Sequence, residues 1–171
     1  MYRLWETPPD SVTVSGKTIP IRTDFRRWIL VLRLLEDSEV LPVQKEQILP
    51  ALVCRDNDVE VTDELITELL KFAALGELPD GESGAESEKV FDFEEDGERI
   101  LASFRQAYGI DLTTETLHWH TFMTLLRHLP PETEFMRTVR LRMTDAAEIE
   151  DDRIRREVRR AKRKVALKNE K

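Results

Sequence analysis

A chain of 171 residues with 35% charged residues, 7% aromatic residues and a net charge of −8 is long enough for one domain with a sizeable core, or one domain plus an arm. Its charge-rich, aromatic-poor make-up is that of a helical, strongly solvated protein, and the negative balance counts against a surface that binds nucleic acid or membrane throughout. The single cysteine, Cys54, excludes an internal disulfide and any cysteine-based zinc cluster, and is expected as a small buried hydrophobe.

The opening "MYRLWETPPD" has neither the basic start nor the apolar run of a signal peptide. The most apolar run, Trp28 to Leu35, is interrupted by Arg33 and is far shorter than the about 20 residues a bilayer requires. No membrane role and a cytoplasmic location are expected. In "SVTVSGKTIPIR", Val12 and Val14 alternate with polar residues, Ser15-Gly16 supplies a turn, and Ile19 and Ile21 alternate again. That predicts a β-hairpin, with Pro20 marking an edge strand.

Helices follow. "TDFRRWILVLRLLED" spaces Phe25, Trp28, Ile29, Leu32 and Leu35 for one face, with Thr23 or Asp24 as the cap. "PVQKEQILPALV" starts at Pro42, and Pro50 is expected to end or kink it. "TDELITELLKFAALG" carries Leu65, Ile66, Leu69, Leu70 and Ala73 on one face, with Gly76 as the stop. Residues 76–89 are rich in Gly, Glu and Ser without apolar pattern, and predict a flexible linker. "FDFEEDGERILASFRQAYGIDL" predicts a helix capped by Asp92, with Glu95 as its reciprocal partner. Ile100, Leu101, Phe104 and Tyr108 form its apolar face, and Gly109 its left-handed end. After the double proline, Phe135, Met136, Val139 and Met143 are spaced for burial. The expected fold is mainly α: a helical bundle with a short N-terminal β-hairpin and a long basic C-terminal helix. Its parts are 1–75, the linker 76–89, a helical part 90–145 and a basic arm 146–171.

"LHWHTF", residues 117–122, holds two of the three histidines. Trp119, Phe122, Met123 and Leu126 recur at helical spacing, and a helix turns about 100° per residue. His118 and His120 would then point to opposite sides and could not share a metal. His120 is expected in solvent beside Thr124 and Arg127, and His118 near the apolar edge. Trp119 is expected as a core anchor, with Trp28, Phe104, Tyr108, Phe122 and Leu126. No phosphate loop or nucleophile motif is present, and the carboxylates at 92–96 suit a helix N-terminus. No catalytic residue, metal ligand or cofactor is expected, and the chain does not read as an enzyme.

Charge is unevenly distributed. Residues 153–171 carry ten Lys/Arg against two Glu, a net of +8, so with a chain total of −8 the other 152 residues carry −16. Ile154, Val158, Ala161 and Val165 form a narrow apolar stripe, flanked by Arg155, Arg156, Arg159, Arg160 and Arg163. The arm could lie back on its own body, clasp an acidic partner or another copy, or bind RNA or DNA. The acidic body counts against nucleic acid.

Three stretches resemble the bacteriophage "gene product fifteen" family: "SVTVSGKTIPIRTDFRRWI", "FDFEEDGERILASFRQAYGIDL" and "LHWHTFMTLLRHLPPETEFMRTVRLR". Their order and spacing agree with the family over most of the chain. The chain departs from it at His120, where the family often has a second tryptophan, and near Thr116, where an acidic residue is missing. The family's genes usually lie between those of the major tail protein and the tape measure. The resemblance therefore implies a non-enzymatic tail assembly chaperone, binding the tape measure and tail-tube subunits. The alternatives are a structural component of the virion and a basic-armed RNA- or DNA-binding protein.

Overall fold

The computed structural model describes residues 5–56, 58–75 and 89–168. Its elements are strands β1 (Ser11–Val14) and β2 (Lys17–Pro20), then helices α1 (Phe25–Glu36), α2 (Pro42–Val53), α3 (Asp63–Ala73), α4 (Gly97–Tyr108), α5 (Trp119–Arg127), α6 (Glu134–Met143) and α7 (Asp152–Val165). The protein is mainly α, with seven helices and one two-stranded hairpin among the described residues. The expected linker lies outside those residues at 76–88. The described residues group into two compact units: those within 1–84 with 116–125, and those within 85–115 with 126–171. Residues 116–125, which the sequence groups with the C-terminal part, thus belong to unit 1.

In unit 1, β1 and β2 pair antiparallel, with Val12 opposite Ile19. Ser15 and Gly16 both take positive φ, 48° and 79°, the conformation of a type I′ turn whose twist matches the strands. Ser15 donates its backbone N–H and its hydroxyl to the Glu64 carboxylate at 2.9 and 2.6 Å. These bonds tie the turn to the first turn of α3, which packs on β1 and buries Leu65, Leu69, Phe72 and Ala73.

The segment between hairpin and α1 is stitched on both sides. Arg55 N–H donates to Pro20 O and Arg22 N–H to Val53 O, and the Arg22 guanidinium donates to Cys54 O. On the other side, Phe25 N–H donates to Leu117 O and Trp119 N–H to Thr23 O. The stretches "TDFR" and "LHW" are therefore partners across an isolated antiparallel bridge between Asp24 and His118. This pairing brings 116–125 into unit 1. Asp24 caps α1, accepting from Arg26 N–H, and Phe25 stacks on Phe122 with ring centroids 4.5 Å apart.

Two helix ends differ from expectation. Pro50 does not end α2, which runs on to Val53 with Pro50 buried. Proline removes only its own N–H from the ladder, and the carbonyl it would have engaged belongs to Glu46, an exposed residue. Helix α3 stops at Ala73, short of Gly76, which lies outside the described residues; the left-handed residue after it is Leu75, φ 61°.

In unit 2, α4 packs against α6 and α6 against α7. Ile100, Phe104, Leu126, Leu129, Phe135 and Val139 are buried. Asp92 does cap, but one turn early. It accepts from the N–H groups of Glu94 and Glu95, and its reciprocal partner is Asp96, which accepts from Asp92 N–H at 3.1 Å. Helix α4 then starts at Gly97. Gly109 closes it in the left-handed region, φ 69°. Met143, expected in the core, is 66% exposed; position 143 is the last of α6, and Thr138 takes a buried place instead.

Candidate functional site

The motif "LHWHTF" sits at the N-terminus of α5, and His118 precedes the helix. Its Nδ1 accepts from His120 N–H at 3.1 Å, a histidine acting as N-cap. Nε2 then carries the proton and donates to Pro9 O at 2.9 Å. Trp119 is fully buried and donates its indole N–H to Ala73 O at 3.0 Å. His120 Nε2 donates to Phe72 O at 2.8 Å. Both acceptors lie in the last turn of α3, where carbonyls lack the usual partner four residues on; Phe72 O also accepts from Leu75 N–H at 3.2 Å.

This overturns the expected placement of His120. The residue is 4% exposed, because the C-terminal end of α3 covers the first turn of α5. The diverging geometry also fails at this point. His118 is outside the helix, so its ring turns back and meets the His120 ring at 5.2 Å, near perpendicular. Burial pushes the His120 pKa below its ordinary value, against the bond to Phe72 O, which raises it. Among the described residues no three His, Cys, Asp or Glu gather as a metal site. Cys54 is buried and its thiol is pushed up by that burial, against the opposing Arg22 charge, so it stays protonated and a poor nucleophile.

Of the other residues expected in the core, Trp28, Phe104, Phe122 and Leu126 are buried and Tyr108 is half-buried. Tyr108 lies across Phe104 and donates its hydroxyl to His128 O at 3.0 Å.

The sequence did not point to the buried charge cluster of unit 2. Asp96 is completely buried. Arg142 grips it with two nitrogens, at 2.6 and 3.0 Å, and Arg99 adds a third bond at 2.9 Å. Arg142 also donates to Val90 O at 3.1 Å and to Val165 O at 2.6 Å. One guanidinium thus joins the approach to α4, the start of α4, and the end of α7. Buried carboxylates need such pairing to remain charged. No sequence signal separates Arg142 from its neighbours Arg137 and Arg140; only the fold does.

Helix α7 is an accessible charged feature. None of its residues is buried. Its apolar stripe is not free, however: Val158, Ala161 and Val165 are half-covered, and only Ile154, at 50%, is exposed. Lys162 donates to Thr144 O at 2.7 Å and Arg155 to Ile149 O at 2.8 Å, so both cations reach inward along the same side. Leu167, just beyond the helix, is buried, and Lys168 N–H donates to Glu95 Oε1 at 2.9 Å. Arg156, Arg159, Arg160, Arg163 and Lys164 are exposed. At 100° per residue they fall on one arc of the outer face.

No helix of the described residues is long and apolar enough to cross a membrane. Fold and surface together define a mainly α, charge-polarised protein whose accessible chemistry is a cationic helix face. The family described as Bacteriophage Gp15 protein matches residues 4–167, so the chain belongs to that family and is phage-associated. No curated protein and no solved structure matched it.

Proposed function

We propose that this protein is a tail assembly chaperone: a non-enzymatic partner of the tape measure and of tail-tube subunits in the host cytoplasm, left behind when the tail is complete. The observation that carries the reading is membership of the phage family across residues 4–167, together with the gene position that the family resemblance implies. The cationic face of α7, with Arg156, Arg159, Arg160 and Arg163, is a surface for holding an acidic partner. Ile154, exposed at the start of α7, lies on the other side of the helix with Val158, Ala161 and Val165, and Arg155 lies between the two faces. A chaperone of this kind co-purifies with the tape measure from cells producing phage and is missing from purified virions. Mass spectrometry of virions decides between this and the structural reading, since many copies per particle would make the protein a tail component.

A further inference from the structure

We propose that the cationic face of α7 in one copy docks on the exposed carboxylates Asp56, Asp58, Glu60 and Asp63 of a second copy, so that the protein self-associates through two different charged surfaces. This goes beyond the chaperone reading and requires no tail protein. The basic side is Arg156, Arg159, Arg160, Arg163 and Lys164. All five are exposed, and none forms a hydrogen bond or ion pair through its side chain among the described residues, whereas Arg153, Arg155 and Lys162 on the same helix do. Cations spaced three and four apart on a helix repel one another. Among the described residues no carboxylate pairs with these five cations, and the repulsion eases when the face meets an anion.

The acidic side is the segment leading into α3. Asp56, Asp58, Glu60 and Asp63 are exposed, and their carboxylates form no ion pair among the described residues. Val61 lies among them, 45% exposed. Four of the five cations are arginines, whose planar forks match carboxylates with two parallel bonds.

A second copy suits the face better than nucleic acid does. The 152 residues outside 153–171 carry −16, and that field repels a phosphate chain over a screening length of about 8–10 Å at ordinary ionic strength. A protein partner brings a few carboxylates without a continuous line of phosphates. Because the two patches differ, a reciprocal pair of contacts closes a dimer, and a one-way contact grows a ring or filament.

Sedimentation velocity of the purified full-length chain, over a concentration and salt series, tests this. Mass should rise with concentration at low salt and fall to the monomer in 1 M salt, where the screening length is about 3 Å. R159E/R163E and D58K/E60K should each weaken self-association at least about tenfold, the loss expected of close charge pairs. Mixing the two variants should restore it, since each then offers the sign the other lost. Circular dichroism checks folding; if a reversal variant loses helix, R159Q/R163Q replaces it with the same expected direction. A wild-type chain that stays monomeric throughout overturns the proposal. So do variants that associate like wild type, a mixture of folded variants that does not recover, or a monomer that binds an oligonucleotide instead. R159E/R163E also alters the surface assigned to an acidic tail partner, whereas the wild-type oligomeric state and the D58K/E60K variant are read without one, so those two results separate failure of self-association from failure of tape-measure capture.

Discussion

Unit 1 closes the end of α3 with the Trp119 indole and the His120 imidazole. Unit 2 closes around the Asp96 carboxylate with the guanidinium groups of Arg142 and Arg99. Both places are buried, and both join segments far apart in sequence. They differ in what is left behind when one partner is removed. A helix carbonyl that loses a neutral donor is an unsatisfied dipole, costing about 1–3 kcal/mol. A buried carboxylate that loses its cation is an unpaired charge, costing about 3–5 kcal/mol. The neutral cap is therefore the more forgiving device. The charged one makes a single residue, Arg142, essential to three segments at once.

The largest effect expected follows from that contrast. Arg142→Met should destabilise unit 2 by about 3–5 kcal/mol, by leaving Asp96 unbalanced except for Arg99; urea unfolding followed by circular dichroism would measure it. The double variant Asp96→Asn/Arg142→Met should be milder, because the stranded charge is gone. A double variant as damaged as the single one would mean that the bonds to Val90 O and Val165 O, and not the charge, dominate the site.

A smaller loss is expected in unit 1. Trp119→Phe keeps an aromatic ring in the core but removes the donor to Ala73 O. It should cost about 1–3 kcal/mol from the unsatisfied carbonyl, with some packing loss added, in the same urea experiment. A cost as large as that of Arg142→Met would erase the distinction between neutral and charged closure.

How far the sequence foretold these places depends on whether the signal is local. The hairpin turn at Ser15-Gly16, the Asp24 cap and the Gly109 helix end were all legible, because each is decided by the φ preference or short reach of one residue. Trp119 was legible as core by periodicity. The position of His120 was not. Helical periodicity describes the interior of a helix, and His120 lies in its first turn, where the covering element is the end of α3, almost 50 residues away. Of the two outcomes expected at Pro50, an ended helix did not occur: the bond it removes is cheap where the orphaned carbonyl belongs to an exposed residue. The pairing of Asp96 with Arg142 spans 46 residues, and the chain has many arginines. Only the packing of α4 against α6 selects one of them. The stripe on α7 was visible, but the sequence could not show that much of it is occupied within unit 2, nor therefore that the free face is cationic.

The smallest effect is the most specific to the histidine site. In the folded state the His120 pKa lies below its ordinary value near 6.5, because burial disfavours the imidazolium more than the Phe72 carbonyl favours it. Unfolded, the side chain regains its ordinary value. As pH falls through about 6.5 the unfolded state takes up a proton that the folded state refuses, and stability falls. Above that pH both states are neutral and this contribution is fully present. The carboxylates act in a lower window. Ser15 holds Glu64 below its ordinary value through side-chain and backbone bonds, and Thr113 does the same for Asp111; their contributions are lost only as those groups protonate. Urea midpoints should therefore decline in two stages on acidification. His120→Gln, which keeps a donor towards Phe72 O but cannot titrate, should remove the upper stage and leave the lower. If the upper stage survives in His120→Gln, another group is taking up the proton, and the neutral character assigned to the closure of α3 would have to be given up.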